Sequence, residues 1–470
     1  MKLLTIIVFL LIFMSIYNKP VVGQSTMYEV ITNPVRHVAW SPDGNYLAVA
    51  TSQQGGLEIY DAQLVLLAEI YPDTTVFSVS WSHDSQNLVI TRWNILEFLH
   101  WDATTNQLTT TQIFENFYDP IYALWSPDGE YIAVVNEIDF DTVADGRNGQ
   151  TIVRFTYQIS FLNMLTDIIT HKPNIFYETR LMLRDLNNIT SLAYIHPIIW
   201  IPDSSEVLLV GSSHDSDDMW LGGGLIGINP QTAEHTRNVG LNNFESQGFA
   251  WQPNSQYITV ADEAGVFQHS LLDGSLMDAI YLYFDIAVMK WSRDGRYLFM
   301  DGALIDPSLR QYTTRTWLFD NSDSETVFTA DWHPYRPIIA IGSLTGRLTI
   351  EDATQFEGFT ASPVANAGES RIVYVGGDLT ADVVLDASAS VDYDGTITGY
   401  EWRAGESVLS TNMVANVNLP SGIHDIQLTV TDDDNLTDSV TIPIEAICNT
   451  RLETESLSDA IREFHYQTDY

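Results

Sequence analysis

Val35-Arg36-His37-Val38-Ala39-Trp40-Ser41-Pro42-Asp43-Gly44-Asn45-Tyr46-Leu47-Ala48-Val49-Ala50 is the stretch that decides the fold. Its first six residues alternate toward a Trp. Its last five are an apolar run rich in β-formers, so both halves read as strands. Between them Pro presets φ, Asp can bond back to the backbone, and Gly tolerates positive φ. The unit is strand, tight turn, strand. It recurs as Trp81-Ser-His-Asp-Ser, Trp125-Ser-Pro-Asp-Gly and Trp200-Ile-Pro-Asp-Ser. Further copies are Trp251-Gln-Pro-Asn-Ser, Trp291-Ser-Arg-Asp-Gly and Trp332-His-Pro-Tyr-Arg. The successive spacings are 41, 44, 75, 51, 40 and 41 residues. A third strand often ends in Asp, as in Glu58-Ile59-Tyr60-Asp61, Leu99-His100-Trp101-Asp102 and Thr349-Ile350-Glu351-Asp352. No such unit can bury its face alone, so neighbours must stack.

A period near 40–45 residues is that of a four-stranded propeller blade. The repeat resembles WD40-type propellers and the related WSPDG-type repeats over roughly residues 28–358. The Gly-His dipeptide of WD40 repeats is absent, and Trp101-Asp102 is the literal Trp-Asp. Seven motifs predict seven blades. The last motif is followed by two clear strands, and Tyr28-Glu29-Val30-Ile31 is the candidate to complete that blade from the N-terminus.

Past residue 360 the repeat stops and a second pattern begins. Asn366-Ala367-Gly368, Leu385-Asp386-Ala387-Ser388, Asp392-Tyr393-Asp394-Gly395, Tyr400-Glu401-Trp402 and Leu428-Thr429-Val430-Thr431-Asp432 follow in order. This set resembles the PKD domain across 362–446. The resemblance implies an Ig-like β-sandwich without a disulfide, with Trp402 in its core, serving as a spacer or adhesion module. The expected architecture is all-β: a seven-bladed β-propeller over 24–360, then the sandwich over 362–446.

The ends carry their own signals. Lys2 followed by the apolar run Leu3–Tyr17, with Val21-Val22-Gly23, reads as a signal peptide over 1–23, with an uncleaved N-terminal anchor as the alternative. The expected location is secreted, extracellular or periplasmic, with no later stretch of membrane-spanning length. The tail 447–470 places Leu457, Ile461 and Phe464 on one helical face. The single cysteine, Cys448, precludes an internal disulfide, so stability rests on packing.

With 61 Asp and Glu against 21 Lys and Arg, the formal charge is −40. Such a surface repels phosphate backbones and argues against nucleic-acid partners. Two inserts interrupt the repeat. One holds Asp139, Asp141 and Asp145; the other holds His214, Asp215, Asp217, Asp218 and Trp220. Both fall between second and third strands of adjacent blades, so they should neighbour each other on one rim. Closely spaced carboxylates with glycines suit a hard cation such as Ca²⁺, and a solvated acidic loop is the competing reading. Asp392, Asp394, Asp432 and Asp434 form a second candidate of the same kind, with a purely structural turn as its alternative. His214 with its acidic neighbours could bind a transition metal or act as a base. The motif tryptophans read as inter-blade packing, whereas Trp93 and Trp220 lie off the repeat. Gly222-Gly223-Gly224 lacks the Lys-Ser/Thr of a phosphate loop and reads as a turn or bulge. No nucleophile elbow or zinc-protease signature is present. A non-catalytic binding or scaffold protein needing no cofactor, with a protein or polysaccharide partner, is the leading expectation. A propeller hydrolase or lyase with a metal at the channel mouth is the alternative.

Overall fold

The computed structural model describes residues 26–447, apart from 53–54, 116, 118, 145–150, 180–197, 215–219, 241–247, 254, 263–264, 282–287, 301, 307–315, 318–326, 357 and 377. The chain is all-β and divides into two units, 1–356 and 357–470.

Unit one holds seven four-stranded sheets among the described residues. The first comprises Val35–Trp40, Tyr46–Thr51, Leu57–Asp61 and Leu66–Ile70. The second comprises Ser78–Trp81, Asn87–Arg92, Ile95–Asp102 and Gln107–Phe114. The third comprises Pro120–Trp125, Tyr131–Ala144, Thr151–Asn163 and Ile169–Thr179. The fourth comprises Ile199–Trp200, Val207–His214, Trp220–Ile228 and His235–Gly240. The fifth comprises Gly248–Trp251, Tyr257–Asp262, Gly265–Ser270 and Leu276–Tyr281. The sixth comprises Met289–Trp291, Leu298–Met300, Ala303–Ile305 and Thr316–Trp317. The seventh comprises Val327–Trp332, Ile338–Ser343 and Arg347–Asp352, and its fourth strand is Thr26–Ile31 from the other end of the chain. Val30 pairs with Leu348 and Ile31 with Arg347, so the expected N-terminal closure is present.

Each motif Trp ends the first strand of its sheet. First strands contact one another from the first sheet to the second and third, from the fifth to the sixth and seventh, and from the seventh back to the first. Shared cores join the third sheet to the fourth and the fourth to the fifth, which closes the ring with first strands toward its axis. Hydrophobic cores are shared between neighbours. Ala48 and Leu57 pack with Val79 and Leu88, and Val89 and Phe98 pack with Ala123 and Ile132. The indole N–H bonds travel the same way. Trp81 donates to the Ala39 carbonyl (3.1 Å), Trp200 to Leu124 (3.2 Å) and Trp332 to Lys290 (3.3 Å). In each case the acceptor is the residue before the preceding motif Trp. The packing role expected of these tryptophans is therefore direct: they tie one sheet to the next.

The motif turn behaves as its chemistry demands. Asp43 Oδ1 accepts from Asn45 N at 3.0 Å, and Asp128 Oδ1 accepts from Glu130 N at 2.9 Å. Gly44, Gly129 and Gly295 have φ of 72°, 75° and 70°, and Ser85 and Ser204 take the same conformation where the motif has Ser. Gly222–Gly224 departs from the turn expectation. These residues lie within Trp220–Ile228, paired with Ser213, Ser212 and Gly211, because the register of the hairpin carries them in extended form. The bulge falls beside them, at Ser213/His214.

Unit two is a sandwich. Arg371–Tyr374, Thr437–Ile447, Gly422–Asp432, Ile397–Ala404 and Ser407–Ser410 form one sheet in that order; Thr380–Asp386 and Val414–Pro420 form the other. Alternate residues Ala381, Val383 and Leu385 face Ile426, Leu428 and Val430 across one core. Trp402, on an interior strand, is fully buried in it, with its indole N–H on the Asn412 carbonyl at 3.1 Å.

Candidate functional site

Antiparallel connectivity gives the ring two mouths. First-to-second turns, with the Trp motifs, open at one end; second-to-third turns open at the other. The acidic inserts belong to the second end. Asp139 and Asp141 lie on the strand Tyr131–Ala144, opposite Thr156 and Arg154. His214 closes Val207–His214 and pairs with Trp220. The third sheet's last strand, Ile169–Thr179, contacts Val207–His214 of the fourth. Asp145, Asp215, Asp217 and Asp218 fall outside the described residues, as do residues 1–23, where a signal peptide was expected, Cys448 and the tail beyond it. The second sheet contributes Trp93 to the same end, in the turn between Arg92 and Ile95. Trp93 is 63% exposed and meets Phe77 edge-on at 4.9 Å. Beneath it Arg92 pairs with buried Glu97 (2.6 Å) and lies 4.0 Å over the Tyr71 ring.

In unit two, Asp394 accepts from Ala361 N at 2.8 Å, and Asp432 accepts from Leu436 N at 2.7 Å. Burial, with Asp392 close by, pushes the Asp394 carboxyl up to about 6. Both carboxylates hold backbone, as the structural reading of these turns expects. Among the described residues, no three His, Cys, Asp or Glu side chains group so as to hold a metal.

The opposite mouth holds what the sequence reading missed. A cavity of about 310 Å³ opens there, walled by Trp40, Trp81 and Trp125 and reached by His37, Tyr122, Lys290 and Asp331. His37 and Tyr122 stand three residues before their motif Trp; Lys290 and Asp331 stand one before. Period two points these positions toward the axis. Residues just before the motif Trp are Ala39, Ser80, Leu124, Ile199, Ala250, Lys290 and Asp331, so the sixth and seventh sheets alone place charges there. That run was the available signal.

The axial groups touch across sheets. His37 and Tyr122 rings meet edge-on at 5.3 Å. His37 Nδ1 donates to the Val79 carbonyl at 2.9 Å. Burial, then the Lys290 charge, holds the imidazole down to about 3, so it is neutral at pH 7. Burial raises the Tyr122 phenol and the Asp331 carboxyl. Asp331 Oδ2 accepts from Trp40 N at 2.9 Å, and Asp331 Oδ1 lies 3.8 Å from Lys290 Nζ.

These features define a β-propeller. The family model described as WD domain, G-beta repeat matches residues 26–61. Among solved structures, the chain is similar to the β-propeller domain of Cps50 (Swd1) from Myceliophteria thermophila. The identity is 13% and the TM-score 0.46, covering 70% of this chain and 99% of that one. No curated protein matches the chain.

Proposed function

We propose that this chain is a secreted, non-catalytic binding protein. Its seven sheets act as the blades of a seven-bladed propeller, and the mouth bearing the second-to-third turns engages a protein or polysaccharide partner. The PKD-like sandwich serves as spacer or adhesion module. One observation carries the reading. The third sheet's central hairpin runs well past its neighbours, with Tyr131–Ala144 paired to Thr151–Asn163, where the second strand of the first sheet is six residues long. The fourth sheet's central strands Val207–His214 and Trp220–Ile228 are lengthened too, and exposed Trp93 sits in the second sheet's turn of the same kind. WD40 propellers commonly act as protein-interaction scaffolds, which supports the same reading.

The test is a pull-down from the native extracellular fraction with the full chain, with and without Ca²⁺. It is repeated with Trp93→Ala and with 139–149 replaced by a two-residue turn. Retention of a partner by the parent and its loss in the variants is expected. A partner held equally by all three chains, or by none, would overturn the assignment of this mouth. Ca²⁺ dependence lost in the 139–149 variant would assign the metal to the acidic hairpin, and dependence retained there would not.

A further inference from the structure

We propose that the axial cavity at the Trp-motif mouth binds one neutral polyhydroxylated ring, a monosaccharide or the terminal sugar of a glycan, bridged between Lys290 and Asp331. This site lies at the end of the sheets opposite the hairpins and is independent of them.

An ion pair at this cavity is not closed. Lys290 Nζ and Asp331 Oδ1 are 3.8 Å apart, beyond hydrogen-bond reach. Among the described residues, the ammonium has no hydrogen-bond partner and Oδ1 has none either; Oδ2 alone is engaged, by Trp40 N. Both side chains stay partly accessible, at 33% and 29%, although they stand on the innermost strands. The cavity therefore presents three donors beside one acceptor, an arrangement that asks for a ligand with both.

Charge then selects among ligands. The chain carries a formal −40, which opposes entry of an anion, while Lys290 opposes a cation at the site. A neutral hydroxyl meets neither obstacle. It accepts from Lys290 and donates to Asp331, and hydrogen bonds to charged partners are the stronger kind. Adjacent hydroxyls on one ring span such a pair without closing it. The rest of the wall suits the carbon skeleton: half-buried Trp125 and the rim residues Pro42 and Pro127 offer apolar faces. A volume near 310 Å³ falls at the small end of ligand pockets, roughly 300–1,000 Å³, which suits one ring rather than a polymer segment.

The experiment is saturation-transfer NMR and calorimetry on the full chain with glucose, galactose, mannose and N-acetylglucosamine. Acetate and methylammonium serve as charged probes, and a tripeptide as a neutral polar one. At least one sugar should bind saturably. Lys290→Met and Asp331→Asn should each weaken it by about tenfold or more. Thermal melts check that these variants fold, and Lys290→Gln replaces Lys290→Met should that one unfold. Disaccharides ending in the same sugar separate the two sources: equal binding indicates a glycan terminus, and loss of binding indicates a free sugar. No sugar binding to the parent chain overturns the proposal, as does binding unaltered in folded variants. Preference for acetate, methylammonium or the tripeptide overturns it too.

Discussion

Adding one methyl group at Gly44 tests the inter-sheet lock at the ring closure. Gly44 sits in the first motif turn at φ 72°, and a Cβ there would lie 2.6 Å from His333 Cε1 and 2.8 Å from His333 Nε2. His333 belongs to the seventh sheet's turn. It cannot easily yield. Its Nδ1 accepts from Tyr335 N (3.1 Å) and Arg336 N (2.9 Å), which leaves Nε2 protonated to donate to the Gly44 carbonyl at 3.0 Å. Burial holds this imidazole down to about 4, in keeping with the neutral form. Gly129 supplies a matched control: the same turn in the third sheet, φ 75°, with nothing within 4 Å of its Cβ. Both Gly→Ala changes incur the left-handed penalty of about 1–2 kcal/mol. Gly44→Ala adds overpacking of about 1–3 kcal/mol. Denaturant melts followed by Trp fluorescence should show Gly44→Ala losing the larger amount by that margin. In a His333→Ala background the excess should vanish. Equal losses for the two single variants, or an excess that survives without His333, would refute the lock.

Three further outcomes follow from the same contacts. Deleting residues 25–33 removes the strand that pairs with Arg347–Asp352 and exposes a sheet edge, so the propeller transition should fall by several degrees; an unchanged melting temperature counts against the closure. Trp402→Ala empties the sandwich core and should cost about 3–5 kcal/mol, read in the calorimetric transition of unit two and not that of unit one. His37 has a folded pKa of about 3, below its unfolded 6.5, so its neutral form stabilises the ring above pH 6.5. That stability should be lost as pH falls from about 6.5 toward 3, and His37→Asn should flatten this limb of the pH–stability curve.

Most of the repeat was legible because its signals are local. Pro, Asp and Gly at one turn, with a Trp at fixed offset, act within five residues, and Asp43 and Gly44 do what those residue types predict. In the sandwich the legible core residue was Trp402, carried by the motif Tyr400-Glu401-Trp402 and fully buried in the fold. The Gly222–Gly224 run misled because glycine weakens a strand without forbidding one, and pairing with Gly211–Ser213 overrides its preference. Candidate residues chosen for local density of charge are legible only as far as the backbone: Asp139 and Asp141 share the strand Tyr131–Ala144, and Asp145 lies outside the described residues.

The sequence by itself determined that the chain is all-β, that its unit is a Trp-ended strand with a tight turn, and that an N-terminal strand stands ready to complete the last unit. Each follows from periodicity and turn chemistry carried on neighbouring residues. Tertiary structure alone decided that His37, Tyr122, Lys290 and Asp331, up to 294 residues apart, share one cavity. Only closing the ring brings first strands together, and the spacing between blades carries no record of which side chains then face one another across the axis.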